Sequence, residues 1–405
     1  MRHLIKRKEI PLIRLLSMEG CTAMARYTLV LVLPWYVLQI SGGAVALGVL
    51  SFAMMVPAIF GSYIGGNIIE RLGARKTILL SDLCQMLCTI VIFFCVTYSF
   101  IPFYFLVMMA FLSAFFYAPG KVARGAVIPV YARYAKVSPH KAFGFREAVS
   151  GTAAIMGPLT GGFIIAAFGV GSAVLYSAVF FLLAVLLCLQ MIQRRERALK
   201  FKSKSTFKKT IIYVLRRPHL YLAILFTLPF FIIYTAWESV VLPSYVNLYG
   251  YGSVFLGMLE SAFGIGILLG ALGYAVYGKK VKFKTMLILN YAAYILPIAI
   301  FLLTINKPVV LFASFICGAP FGAYAAMMTT FLTINTPEYM RAKILAFYIS
   351  LTAIVDAVGI WVTSLLIHRS GFEYSMQLLA AVFILALCAA TLIEIKPHPV
   401  RFRKR

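Results

Sequence analysis

A dozen long apolar stretches cut by short polar gaps run the length of this chain, and positive charge is confined to every second gap. A bilayer core about 30 Å thick is crossed by roughly 20 apolar residues in a helix. At 62% hydrophobic residues, a chain of 405 has room for about twelve such crossings. The expected spans are 13–40, 45–69, 77–98, 102–131, 145–169, 171–192, 219–246, 253–277, 285–305, 308–334, 344–367 and 373–395. Most contain Gly or Pro, which membrane helices tolerate better than soluble ones. The fold class is therefore an all-α polytopic membrane protein, because lipid offers no partner for an unpaired backbone N–H or C=O.

The formal net charge of +26 would suggest nucleic acid in a soluble protein, so the placement of the 38 Lys and Arg decides its meaning. Of these, 33 lie at the two termini and in the even-numbered gaps, ten of them between Arg194 and Arg217. The odd-numbered gaps hold Lys307 and Arg369, and Arg26, Lys121 and Arg124 lie within helices. By the positive-inside rule both termini are cytoplasmic and the chain is a multi-pass protein of the cytoplasmic membrane. The basic charge then serves topology and attraction to anionic lipid head groups, with no nucleic-acid partner. The N-terminal apolar run is too long for a cleaved signal peptide and reads as the first membrane helix. The seven Cys all fall inside apolar spans without metal-ligand pairing, so neither a metal nor a cofactor is expected.

The sixth gap is the one long polar segment. It divides the chain into an N-terminal six-helix half (1–192), a basic cytoplasmic linker (193–218) and a C-terminal six-helix half (219–405). Phe201, Phe207 and Tyr213 interleave with the linker's basic residues, a composition suited either to a short amphipathic helix on the membrane surface or to a solvated linker. Six helices, a linker and six more is the layout of transporters built from two related halves.

Two motifs sharpen the reading. The second gap runs Gly66-Asn67-Ile68-Ile69-Glu70-Arg71-Leu72-Gly73-Ala74-Arg75-Lys76, and the fifth span runs from Gly151 through Gly157-Pro158 to Gly161-Gly162. The first resembles the Gly-x-x-x-Asp-Arg-x-Gly-Arg-Lys signature of the major facilitator superfamily, with Glu70 where Asp is usual and Ala74 in place of the first basic residue. The second resembles that superfamily's antiporter signature, Gly-x-x-x-x-x-Gly-Pro-x-x-Gly-Gly. Physically, Gly66 lets a neighbouring helix approach, Gly73 permits a tight reversal, and Pro158 removes one backbone hydrogen bond. The small residues of the second motif make a flat packing face. The resemblance implies a twelve-helix fold in two halves. It also makes Gly66, Glu70, Arg71, Gly73, Arg75 and Lys76 a cytoplasmic charge latch, and Gly151, Gly157, Pro158, Gly161 and Gly162 a mark of export. The segment from Thr336 to Lys343, followed by Asp356 and Gly359, is similar to the Thr-Pro-Glu-x-x-x-Gly-Arg stretch of the enterobactin exporter and macrolide-efflux branch, with Ala342 and Lys343 replacing Gly and Arg.

Ionisable residues inside the spans are few, and a charge at mid-bilayer is costly unless paired or functional. Glu19 and Arg26 of the first helix stand seven residues apart on roughly one face, about 10 Å along the axis, so they can border one cavity. Asp356 lies near mid-depth of the eleventh span, with Glu238 and Glu260 toward the outer ends of the seventh and eighth. Asp82 and Glu147 lie close to the cytoplasmic surface, where they are expected to join Glu70, Arg71 and Arg75. A carboxylate in a low-dielectric cavity holds a proton at neutral pH and loses it when water or a cation enters. Asp356, Glu19 and Glu238 are accordingly candidate proton carriers, the alternative being a packing hydrogen bond or salt bridge. Arg26, Lys121 and Arg124 suit an anionic cargo or tune a carboxylate. Trp35, Tyr36, Phe115, Phe116, Tyr117, Tyr234 and Trp237 suit a large apolar or aromatic guest, or else face lipid.

The expected function is proton-coupled efflux of a small organic molecule by alternating access, in a monomer whose partners are cargo, protons and lipid. By resemblance, the cargo is a drug-like compound or a secreted metabolite such as a siderophore. The basic residues tilt the choice toward an anionic or zwitterionic cargo, while the acids equally serve cationic drugs. A facilitator or proton symporter of the same fold, importing a small metabolite, is the alternative. A membrane enzyme is remote, because the carboxylates are scattered and no His lies deep in a span.

Overall fold

The computed structural model describes residues 9–41, 43–98, 102–191, 207–277, 282–336 and 338–392. The termini that carry the orientation charges, most of the linker, Pro337 and the side chains of Glu70 and of 338–343 lie outside the described residues. The described elements are all helical: α1 (Ile10–Ser41), α2 (Ala44–Leu72), α3 (Ala74–Tyr98), α4 (Phe103–Ala135), α5 (Pro139–Phe168), α6 (Val170–Leu189), α7 (Phe207–Leu215), α8 (Pro218–Leu225), α9 (Leu228–Ala236), a π-helical turn (Trp237–Val241), α10 (Leu242–Leu248), α11 (Ser253–Tyr277), α12 (Phe283–Leu303), α13 (Lys307–Ile334) and α14 (Glu338–Leu392). Among the described residues, ten helical stretches are long and apolar enough to cross a membrane. The other two of the twelve sequence-derived spans fall in the shorter apolar stretch Ala44–Pro57 and within α14, which turns at Gly371 (φ +79°). α7 falls at the end of the linker segment.

Two compact units divide the chain. One comprises 1–42, 49–202 and 251–257, and the other 43–48, 203–250 and 258–405.

In the first unit α1 packs on α5 and α6, and α3 on α4 and α6. Leu12, Leu15 and Met18 of α1 meet Ile78 of α3, Val127 of α4 and Cys188 of α6 in one buried cluster. Gly73 joins α2 to α3 with φ +81°, the left-handed conformation that only Gly takes without strain, as the motif required. Arg75 then donates to the Cys188 and Leu189 carbonyls (3.4 and 2.6 Å), and Arg14 to that of Gln190 (2.9 Å). Two guanidinium groups thus satisfy the open C-terminal carbonyls of α6 and sit favourably at the negative end of its dipole. The α5 motif packs as small residues should. A Cβ at Gly157 would strike Tyr27 and Thr28 of α1, and one at Gly162 would strike the Ser253 backbone in the 251–257 segment of the same unit. Ser253 Oγ donates to the Gly162 carbonyl at 3.0 Å.

In the second unit the seventh span is broken twice. The first break falls at Phe226 and Thr227, just before Pro229. The Phe226 carbonyl accepts from Tyr291 Oη (2.6 Å), and Thr227 Oγ1 bonds both the Ala223 carbonyl and Tyr324 Oη (2.8 Å each), so the freed polar groups are met inside the bundle. The second break is the π turn before Pro243. A proline there has no N–H for the Ser239 carbonyl and crowds it, which widens the ladder. Phe230 anchors the unit, stacked on Tyr291 and Tyr324 with centroids at 4.4 and 4.7 Å. α11 and α13 approach through facing small residues: a Cβ on Gly266 or Gly270 would overlap the Phe315 or Ala319 carbonyl, and one on Gly318 or Gly322 the Phe263 or Ile267 carbonyl. Because backbone, not a movable side chain, blocks the space, Gly322→Val should cost at least about 2 kcal/mol. The check is melting of the detergent-solubilised variant, and an unchanged melting temperature would contradict the packing.

Candidate functional site

The candidate site is a cavity of about 410 Å³ within the first unit, walled by α1, α4 and α5. α1 contributes Glu19, Thr22 and Arg26, α4 contributes Tyr117, Lys121 and Arg124, and α5 contributes Arg146 and Glu147. Glycines set these side chains within reach of one another. Gly120 brings α4 so close to α3 that a Cβ would meet Ser81, and Arg124 one turn later then reaches Asp82, the next residue of α3. Gly20 does the same between α1 and α5, where a Cβ would meet Val149.

The floor of the cavity is an ion network. Arg124 pairs through Nε with Glu19 Oε2 and through Nη1 with Asp82 Oδ1, both at 2.8 Å. Arg146 donates from Nε and Nη2 to Glu19 Oε1 (3.0 and 2.9 Å), and its Nη1 meets Glu147 Oε1 at 3.3 Å. Thr22 Oγ1 adds a contact to Asp82 Oδ1 at 3.4 Å. Glu19 is therefore gripped from both sides, one oxygen by each arginine. Arg124 is 1% exposed and Asp82 fully buried, so neither charge is left to water. Such burial is tolerable only because each ion has its partner in hydrogen-bonding range. Above the network the Arg26 guanidinium lies 3.7 Å over the Tyr117 ring, with Lys121 Nζ at 5.7 Å from the same ring.

This geometry corrects one expectation. Asp82 and Glu147 do not stand with Arg75. Asp82 is paired to Arg124, Glu147 to Arg146, and Arg75 caps α6. Position near a helix end suggested the surface, whereas the close approach at Gly120 draws Asp82 inside. Glu19, Arg26, Lys121 and Arg124 do come together around one cavity. Asp82 and Arg146 are members that the sequence reading left out of the site. The available signal was an acid within an apolar span beside a Ser that faces Gly120.

The other candidate acids belong to the second unit. Asp356 of α14 is 6% exposed and hydrogen-bonds Thr235 of α9, leaving Oδ1 without a partner. The contact exists because Gly359, one turn on, lets α14 press against the Ile232 backbone. Glu260 of α11 is 3% exposed, its carboxyl oxygens have no hydrogen-bond partner among the described residues, and Glu238 in the π turn is its charged neighbour. Among the described residues no ion pair neutralises any of these three acids. Among the aromatic candidates, Tyr117 lines the cavity, Tyr234 stacks on Phe321 (3.5 Å) and Trp237 is fully buried against Phe301. Trp35 is buried and Tyr36 half-buried. Arg71 and Lys76 are exposed.

A multi-pass helical bundle with a charged cavity inside one unit defines an integral membrane protein of the transporter class. The model of the Major Facilitator Superfamily matches residues 15–360, and the chain belongs to that family. Among characterised relatives, it is 24% identical to the multidrug efflux pump Tap of Mycolicibacterium fortuitum, over 87% of this chain and 88% of that one. It is 26% identical to the staphyloferrin A transporter of Staphylococcus aureus, over 78% and 79%. The fold matches that of the nucleoside transporter NupG, in a D323A mutant, with a TM-score of 0.77 at 11% identity, covering 94% of this chain and 99% of that one. It also matches a D-xylose-proton symporter, with a TM-score of 0.72 at 13% identity, covering 96% and 100%.

Proposed function

We propose that this transporter exports a small organic molecule, a drug-like compound or a secreted metabolite such as a siderophore, across the cytoplasmic membrane in exchange for protons. The observation that carries the reading is a carboxylate, Glu19, suspended between two arginines in the wall of a cavity large enough for such a cargo. The relative named as a multidrug efflux pump supports the direction, and it and the relative named as a staphyloferrin A transporter support the cargo class. So does the Gly-Pro-x-x-Gly-Gly face of α5. The chain, with six-helix halves 1–192 and 219–405 joined by the linker 193–218, works by alternating access, with both termini cytoplasmic. Glu70, Arg71, Arg75 and Lys76 form the cytoplasmic gate. Arg75 suits that task by tying the α2–α3 turn to the end of α6.

In this reading any change that releases Glu19 from Arg124 and Arg146 opens the links among α1, α4 and α5 together. Asp356 and Glu260, buried, and Glu238, half-buried, none of them ion-paired among the described residues, take up protons in the other unit. The test is accumulation of a drug panel by energised inside-out vesicles, with and without a protonophore. Uptake that the protonophore abolishes is the expected result, and Glu19→Gln should lower it about tenfold or more while the variant still folds, since Arg124 keeps Asp82. A Glu19→Gln carrier that concentrates cargo as well as the wild type would make Glu19 a packing residue. Uptake indifferent to the protonophore would sink the proton-coupled reading.

A further inference from the structure

We propose that the cavity of the first unit recognises an anionic cargo, gripping a carboxylate or similar oxyanion between Arg26 and Lys121 with the Tyr117 ring as its floor. The inference rests on this cavity being the cargo site and adds the charge class. Its walls carry four cations, Arg26, Lys121, Arg124 and Arg146, against two carboxylates, Glu19 and Glu147. The carboxylates are already committed. Glu19 gives one oxygen to Arg124 and the other to Arg146, Asp82 below is held by Arg124, and Glu147 meets Arg146 at 3.3 Å. Among the described residues, Arg26 and Lys121 make no ion pair. Both instead lie over Tyr117, at 3.7 and 5.7 Å.

Two cations facing one cavity within a membrane-embedded unit repel each other, and each strongly favours a counter-charge there. A guanidinium held 3.7 Å over an aromatic ring spends no N–H donor on an ion pair there, and its planar fork matches a carboxylate in two parallel hydrogen bonds. Lys121 follows Tyr117 by one helical turn, so its ammonium rises from the same face of α4 and can meet a second oxygen. The apolar part of such a guest would lie along Ala23, Tyr27 and Val30. A cationic guest would have to sit beside two uncompensated positive charges in a low-dielectric wall, which disfavours it. The membrane potential, negative inside, further favours the exit of each negative charge.

The test is equilibrium binding of trimesate (benzene-1,3,5-tricarboxylate) to purified full-length protein at low salt, beside its neutral trimethyl ester and benzyltrimethylammonium. Trimesate should bind at least about tenfold more tightly than either control. Lys121→Gln, at an exposed side chain, and Arg26→Gln should each weaken trimesate about tenfold, and Arg26→Lys should weaken it less. If Arg26→Gln does not fold, Lys121→Gln and Lys121→Glu still decide the matter. Equal binding of acid and ester, absence of trimesate binding, or unchanged affinity in the Lys121 variants would overturn the proposal. Because the readout needs no gradient, the two readings fail separately. A chain that binds trimesate yet moves no protons refutes proton-driven efflux alone, and one that exports cations with charge-blind binding refutes the anion site alone.

Discussion

Arg124→Gln should melt well below the wild type and transport nothing. The guanidinium is 1% exposed and bridges two carboxylates from different helices, Glu19 of α1 and Asp82 of α3, at 2.8 Å each. Removing it strands Asp82 in a water-poor interior and leaves Glu19 with Arg146 alone. Breaking a buried ion pair from one side costs about 3–5 kcal/mol, which in a chain of 405 residues is roughly 4–6 °C of apparent melting temperature. The cost lies in the uncompensated charge, so deleting that charge should recover part of it. The double variant Asp82→Asn with Arg124→Gln should regain part of the lost stability but not transport, because Glu19 is then held by Arg146 alone. Melting of the two variants in detergent checks this, and a single variant as stable as the wild type would show that the network contributes no stability.

Asp356→Asn should have the second large effect, of the opposite kind. Asn has the same shape and can keep the contact with Thr235, so the packing of α14 on α9 at Gly359 and Ile232 should survive. What Asn cannot do is exchange a proton. Gradient-driven uptake should fall to the level of carrier-free vesicles while cargo affinity and melting temperature stay close to wild type. Retained concentrative transport would make Asp356 a structural hydrogen-bonding residue and shift proton coupling to Glu238 and Glu260. The contrast between the variants is diagnostic, since one removes a bridge between charges and the other a titratable proton.

The fold was legible where a residue type dictates geometry locally. Apolar run length fixed the helices, and Gly73 marked the α2–α3 reversal because a positive φ there admits little else. The breaks in the seventh span were not legible, because Pro229 and Pro243 look no different from prolines that continuous helices carry, such as Pro57 and Pro297. What distinguishes Pro229 is the hydroxyls of Tyr291 on α12 and Tyr324 on α13, which meet the polar groups freed just before it. The Gly266/Gly270 and Gly318/Gly322 spacings were visible, but that each faces the other is a three-dimensional fact. The same holds for the site. Glu19, Arg26, Lys121 and Arg124 stood out as charges in apolar surroundings. Their pairing with Asp82 and Arg146 spans 42 and 127 residues, beyond any helical periodicity. Sequence depth placed Asp82 with the surface charges, and helix approach at Gly120 overrode it.

Lumenal pH in acid-loaded inside-out vesicles, followed as cargo is added from outside, tests the central claim of proton-coupled efflux most directly. The account predicts alkalinisation with one cargo class in the wild type and none with Asp356→Asn. A wild-type carrier that fills the vesicles with cargo while lumenal pH stays constant would contradict it.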